Sequence, residues 1–145
     1  MGQIPAGLSL VEDSAGLEEA TVIPVSGTGR TLRIRSPEDW IALCRAYPLE
    51  VTASRRHNWF QTTGRIGRWV IPDWEQAAER WDAVHLTVLG YLRSAGRALA
   101  VDAGTASVIA GWDPDSILWL TDRVREIEGP RQIWRRSADQ LFRAR

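Results

Sequence analysis

The sequence predicts an α+β domain, with a mainly antiparallel sheet of five to seven short strands and two or three helices packed on it. Three observations carry that reading. Short runs of alternating or β-branched residues are punctuated by turn residues. One segment near the middle of the first half has a complete helix start signal. The 145 residues, 44% apolar and 25% charged, match a single globular domain rather than a repeat, a fibre or a disordered chain.

Residues 1–20, rich in Gly, Pro and Ser and ending in Glu18-Glu19, read as a loosely ordered segment, with one α+β domain over 21–145. Thr21–Val25 and Thr31–Arg35 flank Ser26-Gly27-Thr28-Gly29, whose turn chemistry predicts a strand pair. Pro24 places the first of these strands at a sheet edge, because proline has no N–H to give a neighbour. Ser36-Pro37-Glu38-Asp39 opens a helix: Ser36 caps, Pro37 suits the first turn, and the acids face the positive end. Trp40, Ile41, Leu43, Cys44 and Tyr47 form its apolar stripe, and Pro48 ends it.

Leu49–Ser54 alternates as a half-buried strand does, and Arg55–Ile66 reads as a long polar loop. Arg68–Ile71 is a short strand. Asp73 and Gln76 then mark a second helix carrying Trp74, Ala77, Ala78 and Trp81. Residues 83–93 fit either a helix or a strand; their β-branched content favours a strand beginning after Asp82. Arg97–Val101, Ala106–Trp112 and Ile117–Thr121 predict an antiparallel meander, with Asp113-Pro114-Asp115-Ser116 as a type I turn. After Gly129-Pro130 the spacing of Ile133, Trp134, Ser137, Ala138, Leu141 and Phe142 predicts a last helix with arginines on its other side.

The chain has 8 tryptophans, and its 18 basic residues are all arginine, against 18 acids. The codon bias of a GC-rich genome accounts for missing lysine but not for the tryptophan. Trp and Arg are enriched at binding hot spots, where a wide ring or a rigid fork of donors gains contact at little entropic cost. Zero net charge gives no global field toward nucleic acid or an acidic membrane. No apolar run reaches membrane-spanning length, and the first residues lack the basic start and apolar block of a secretory leader. A cytoplasmic location is expected.

Arg55-Arg56-His57-Asn58-Trp59-Phe60, followed by Arg65 and Arg68, is the densest cluster; Arg55, Arg56, His57, Trp59 and Arg65 are its candidate binding residues, with Trp112 beside a second loop as a further contact. Guanidinium groups pair with oxyanions and rings stack, so the cluster suits a partner protein first and a nucleotide or nucleic acid second. His57 has the residue chemistry of a general base, but no partner for it is visible in sequence. His85 sits in an apolar stretch and reads as a hydrogen-bonded core residue. The two histidines stand far apart with no cysteine near either, so neither a metal nor another cofactor is expected. Cys44, the one cysteine, reads as a buried thiol.

Arg33 or Arg35, Thr52-Ala53-Ser54 and Glu126-Ile127-Glu128 occur in the order of the Arg–Ser–Glu ADP-ribosyltransferases. The middle motif departs from that pattern at its first two residues. The sequence thus predicts a small binding protein of the immunity or antitoxin kind, which occludes a partner protein. The alternative is a small enzyme or nucleotide-binding domain.

Overall fold

The structure, a computed structural model, describes residues 5–10, 16 and 18–137, and the backbone of 142–144. It is a mixed α+β arrangement, but the strands fall into several small sheets instead of one sheet of five to seven. The elements run α1 (Ala6–Ser9), β1 (Glu19–Val22), β2 (Val25–Gly27), β3 (Thr31–Ile34), α2 (Pro37–Ala46), β4 (Pro48–Glu50) and α3 (Thr52–Thr63). Then follow β5 (Arg68–Pro72), α4 (Trp74–Ala78), β6 (Ala83–Leu86), α5 (Val88–Ser94), β7 (Leu99–Ala100) and β8 (Thr105–Ser107). The chain finishes with β9 (Ser116–Trp119), β10 (Val124–Glu126), β11 (Gln132–Arg136) and β12 (Phe142–Ala144).

The predicted hairpin does not form. β1 pairs antiparallel with β11, β2 pairs antiparallel with β10, and β3 pairs in parallel with β6. Pro24 falls between β1 and β2, where it breaks the expected strand in two. The predicted meander also divides: β7 pairs with β8, while β9 leaves to join β6. The sheet orders are β1-β11-β12, β10-β2, β3-β6-β9 and β4-β5-β8-β7.

The helix start at Ser36 is as its residues require. The Asp39 backbone N–H donates to the Ser36 side chain while the Asp39 carboxylate accepts from the Ser36 backbone N–H, a reciprocal capping box with Pro37 in the first turn. The helix buries Trp40, Leu43 and Cys44 and touches β3, β4, β5, β7 and α5, so it joins two sheets to one core. Ile34, Val84, Leu86 and Ile109 complete that core with almost no exposure. Each such side chain contributes about 1.5–3 kcal/mol by leaving water.

Residues 83–93 contain both expected elements in turn. β6 starts at Ala83, after Asp82, and α5 begins once Thr87 caps the Gly90 N–H. Gly90 is required at that position, since a Cβ there would lie 2.2 Å from the Ile34 carbonyl oxygen. The predicted last helix is absent over 132–136, which is β11; the register sets Trp134 inward and Ile133 and Arg135 outward. Ala138 and Leu141 of that expectation lie outside the described residues.

Candidate functional site

The segment Arg55–Ile66, expected as a loop, is mostly α3. The helix starts at Thr52, which also overturns the strand expected over Leu49–Ser54 beyond Glu50. Its N-cap, Val51, offers no side-chain acceptor, and its first turn has no acid. Two anchors compensate. The Trp69 N–H donates to Thr52 Oγ1 at 2.8 Å, which fixes the first turn to β5. Trp59, the helix's one buried side chain, meets Trp69 edge-to-face with centroids 5.2 Å apart. Gly64 closes the helix in the left-handed conformation with its N–H on the Phe60 carbonyl.

Because the segment is a helix, Arg55 lines one cleft while Arg56 and His57 line a hollow on another face. Arg55, Asn58, Trp59 and Thr62, at spacings of one helical face, line a half-open cleft of about 720 Å³. Across it stand Trp40 of α2, Trp74 of α4 and Trp112 of the loop before β9, with Ile71 and Leu118 between. Trp40 lies 6.1 Å from Trp74 and 6.0 Å from Trp112, and Trp74 lies 6.0 Å from Trp112, all with tilted or edge-on rings. Such pairs add about 0.5–1.5 kcal/mol each beyond their burial, so the three indoles hold one another in place. The Trp40 indole N–H also donates to Ser107 Oγ at 2.9 Å within the core. Gly111, at φ 68°, turns the chain so that Trp112 reaches the cluster.

Indoles and aliphatic side chains line the cleft together with the polar Asn58 and Thr62, and among the described residues Arg55 is the one charged residue of its lining. No acidic side chain lines it, and the exposed Arg55 guanidinium has no ion-pair partner among the described residues. Trp74 and Trp112 are half-buried, as are Trp81 and Trp119; Trp40, Trp59, Trp69 and Trp134 are buried. The tryptophans thus divide between core anchors and rings that still meet solvent.

Arg56, His57 and Arg65 line a second hollow of about 450 Å³ on another face of α3, with Phe60, Ile66 and Trp69. The predicted residues therefore separate into two groups: Arg55, Trp59 and Trp112 at the cleft, and Arg56, His57 and Arg65 at the hollow. Asn58 and Phe60 of the predicted cluster line the cleft and the hollow respectively, whereas Trp40 and Trp74 belong to the cleft and were missed by sequence reasoning. The spacing of Arg55, Asn58, Trp59 and Thr62 was the signal that locates one face, once the segment is read as a helix.

Elsewhere, His85 on β6 is half-buried, and its Nε2 lies 2.8 Å from Asp115, whose φ of 58° sets it in the left-handed region. Cys44 is fully buried; burial pushes its thiol up to about 11, against a smaller opposing hydrogen bond from Ser107. That is an unreactive structural thiol at neutral pH. Of the Arg–Ser–Glu order, Arg33 is on β3, Thr52–Ser54 opens a helix where that pattern has a strand, and Glu126 on β10 pairs with Arg131 at 2.9 Å. Among the described residues, no helix is long and apolar enough to cross a membrane. No protein family, curated protein or solved structure matches this chain.

Proposed function

We infer that this protein works by binding a partner protein and covering its surface, as immunity proteins and antitoxins do. A segment of the partner seats an apolar side chain in the tryptophan cleft, and an acidic group beside it meets Arg55. The observation that carries this reading is the cleft itself: three mutually braced indoles beside an unpaired guanidinium, with no acid lining the space between them. Braced rings lose little freedom on binding, and a guanidinium adds the paired, directional bonds that a carboxylate can complete. The exposed rim of α3 and the half-buried Trp112 support a contact made without the fold opening.

The test is a photo-crosslinking amino acid at Thr62, introduced into the full chain in its native host. The expected result is one crosslinked protein that is lost with Trp112→Ala and with Arg55→Glu. With that partner purified, Trp112→Ala is expected to cost about 2 kcal/mol of binding, roughly thirtyfold in Kd, and to lower the unfolding midpoint as well because two ring contacts go with it, whereas Arg55→Glu at the exposed rim is expected to weaken binding with the midpoint nearly in place. A crosslink indifferent to both substitutions, or none at all, overturns the reading.

A further inference from the structure

We propose that the hollow on the other face of α3 is a separate binding site for a small oxyanion carried on a planar apolar ring. It shares no lining residue with the tryptophan cleft, so it stands independently of the partner-binding reading. Three observations converge on it.

The first is a guanidinium already fixed in place. Arg65 donates from Nη1 to the Arg68 carbonyl at 3.1 Å and from Nη2 to the Gly104 carbonyl at 3.3 Å. Its guanidinium carbon also lies 5.0 Å from the centroid of the buried Trp69 ring. An arginine has five donor hydrogens, and these two bonds leave the remainder to face the hollow or solvent. Its orientation is settled before any ligand arrives.

The second is uncompensated positive charge. Arg56 lines the same hollow with no ion-pair partner among the described residues, and no carboxylate lines the space. His57, next to it on the helix, supplies a further ring nitrogen. A second guanidinium free to swing complements the fixed one: one sets the position of an oxyanion and the other closes on it.

The third is apolar surface left in the open directly beside these charges. Ile66 is 87% exposed and Phe60 is 45% exposed. Scattered exposed apolar residues are ordinary, but here they line the same hollow as Arg56 and Arg65. A bare anion has no use for that wall; a flat ring bearing the anion covers it. The volume of about 450 Å³ is at the small end of ligand sites and suits one or two rings. Phosphate on a nucleotide and carboxylate or phosphate on a simple aryl group present the same chemistry, and the experiment distinguishes them.

The full chain is titrated with phenyl phosphate, benzoate and AMP, with inorganic phosphate and phenol as controls, following backbone amides and the Trp69 indole N–H by NMR. We expect saturable shifts at α3 and residues 65–69 with at least one ring-bearing anion at millimolar concentration. AMP binding more tightly than phenyl phosphate identifies the nucleotide source, and the reverse order identifies the aryl acid. Arg56→Gln, on the exposed face of the helix, is expected to weaken binding about tenfold. Arg55→Gln, one residue away but on the cleft side, is expected to change it less than about twofold. Arg65→Gln also removes its two carbonyl contacts, so Arg56→Gln is the deciding variant. Inorganic phosphate or phenol binding as tightly as the ring-bearing anions overturns the proposal. So does equal weakening by Arg55→Gln and Arg56→Gln, or the absence of any saturable shift.

Discussion

Asp82 is 3% exposed, yet it carries a full charge, and its partners explain how. The Arg30 backbone N–H donates to it at 2.7 Å, the Arg30 side chain adds a bond at 3.3 Å, and the Arg123 guanidinium lies 3.1 Å from its other oxygen. These bonds, the backbone one foremost, hold its carboxyl below the usual aspartate range, against the opposing effect of burial. Its own backbone is shared as well: its N–H donates to the Arg30 carbonyl and its carbonyl accepts from Leu120. One residue thus joins the approach to β3, the start of β6 and the end of β9. A carboxyl lowered in the fold stabilises it above the unfolded value of about 3.9, and that contribution fades as pH falls through the lower folded value. Asp82→Asn is therefore expected to unfold at lower urea than the parent at neutral pH. The gap between the two midpoints should close as the pH is taken below about 3.9. A gap constant down to pH 2 would mean that the charge contributes nothing. The sequence places Asp82 only as the residue before a strand, because its partners come from Arg30, 52 residues away, and from the distant segment that holds Leu120 and Arg123.

Among the elements, α2 and α3 show which helices a sequence announces. In α2 a cap, a proline, two acids and an apolar stripe agree, and the helix starts where they say. In α3 the stripe shrinks to Trp59, the cap is missing, and threonines stand at both ends. Its order comes from Trp69, which supplies both the indole contact and the N–H that anchors Thr52; neither is visible locally. The segment 132–136 reads as a helix for the opposite reason: Ile133 and Trp134 fit a helical stripe, while the pairing with β1 that makes it a strand lies over a hundred residues away. α3 also holds Arg55 and Arg56 near its positive end, where acids are favoured. That placement opposes helix stability and leaves the charges free for an anionic partner. Ser54→Glu is expected to raise the local opening free energy of α3 by about 0.5 kcal/mol, read by amide hydrogen exchange, while weakening partner capture. Faster exchange in the variant would contradict this account of the helix.

At the scale of the whole molecule, the pairings are largely non-local: β1 with β11, β2 with β10, and β3 with β6. Turn chemistry marks the bend at Gly29 and the turn at Pro114-Asp115, but Ser26 and Gly27 belong to β2, Asp115 at φ 58° departs from the expected type I geometry, and neither turn says which strand each neighbour meets. Two parallel pairings and the division into small sheets follow from contacts that no short window contains. Such topology folds slowly, because distant segments must meet before they gain anything. Trp134 is 6% exposed on β11, the strand flanked by β1 and β12. Trp134→Ala is expected to cost about 3 kcal/mol in urea unfolding and to speed exchange of the β1 amides together with those of β11. Unchanged protection in β1 would show that the two strands are not one cooperative unit. The antiparallel register has a mechanical corollary. Glu19 lies opposite Arg135, so handles attached at residues 18 and 137 pull on the same end of the ladder. Its hydrogen bonds then bear the load one after another, as in a zipper, and the first rupture under tension comes at low force.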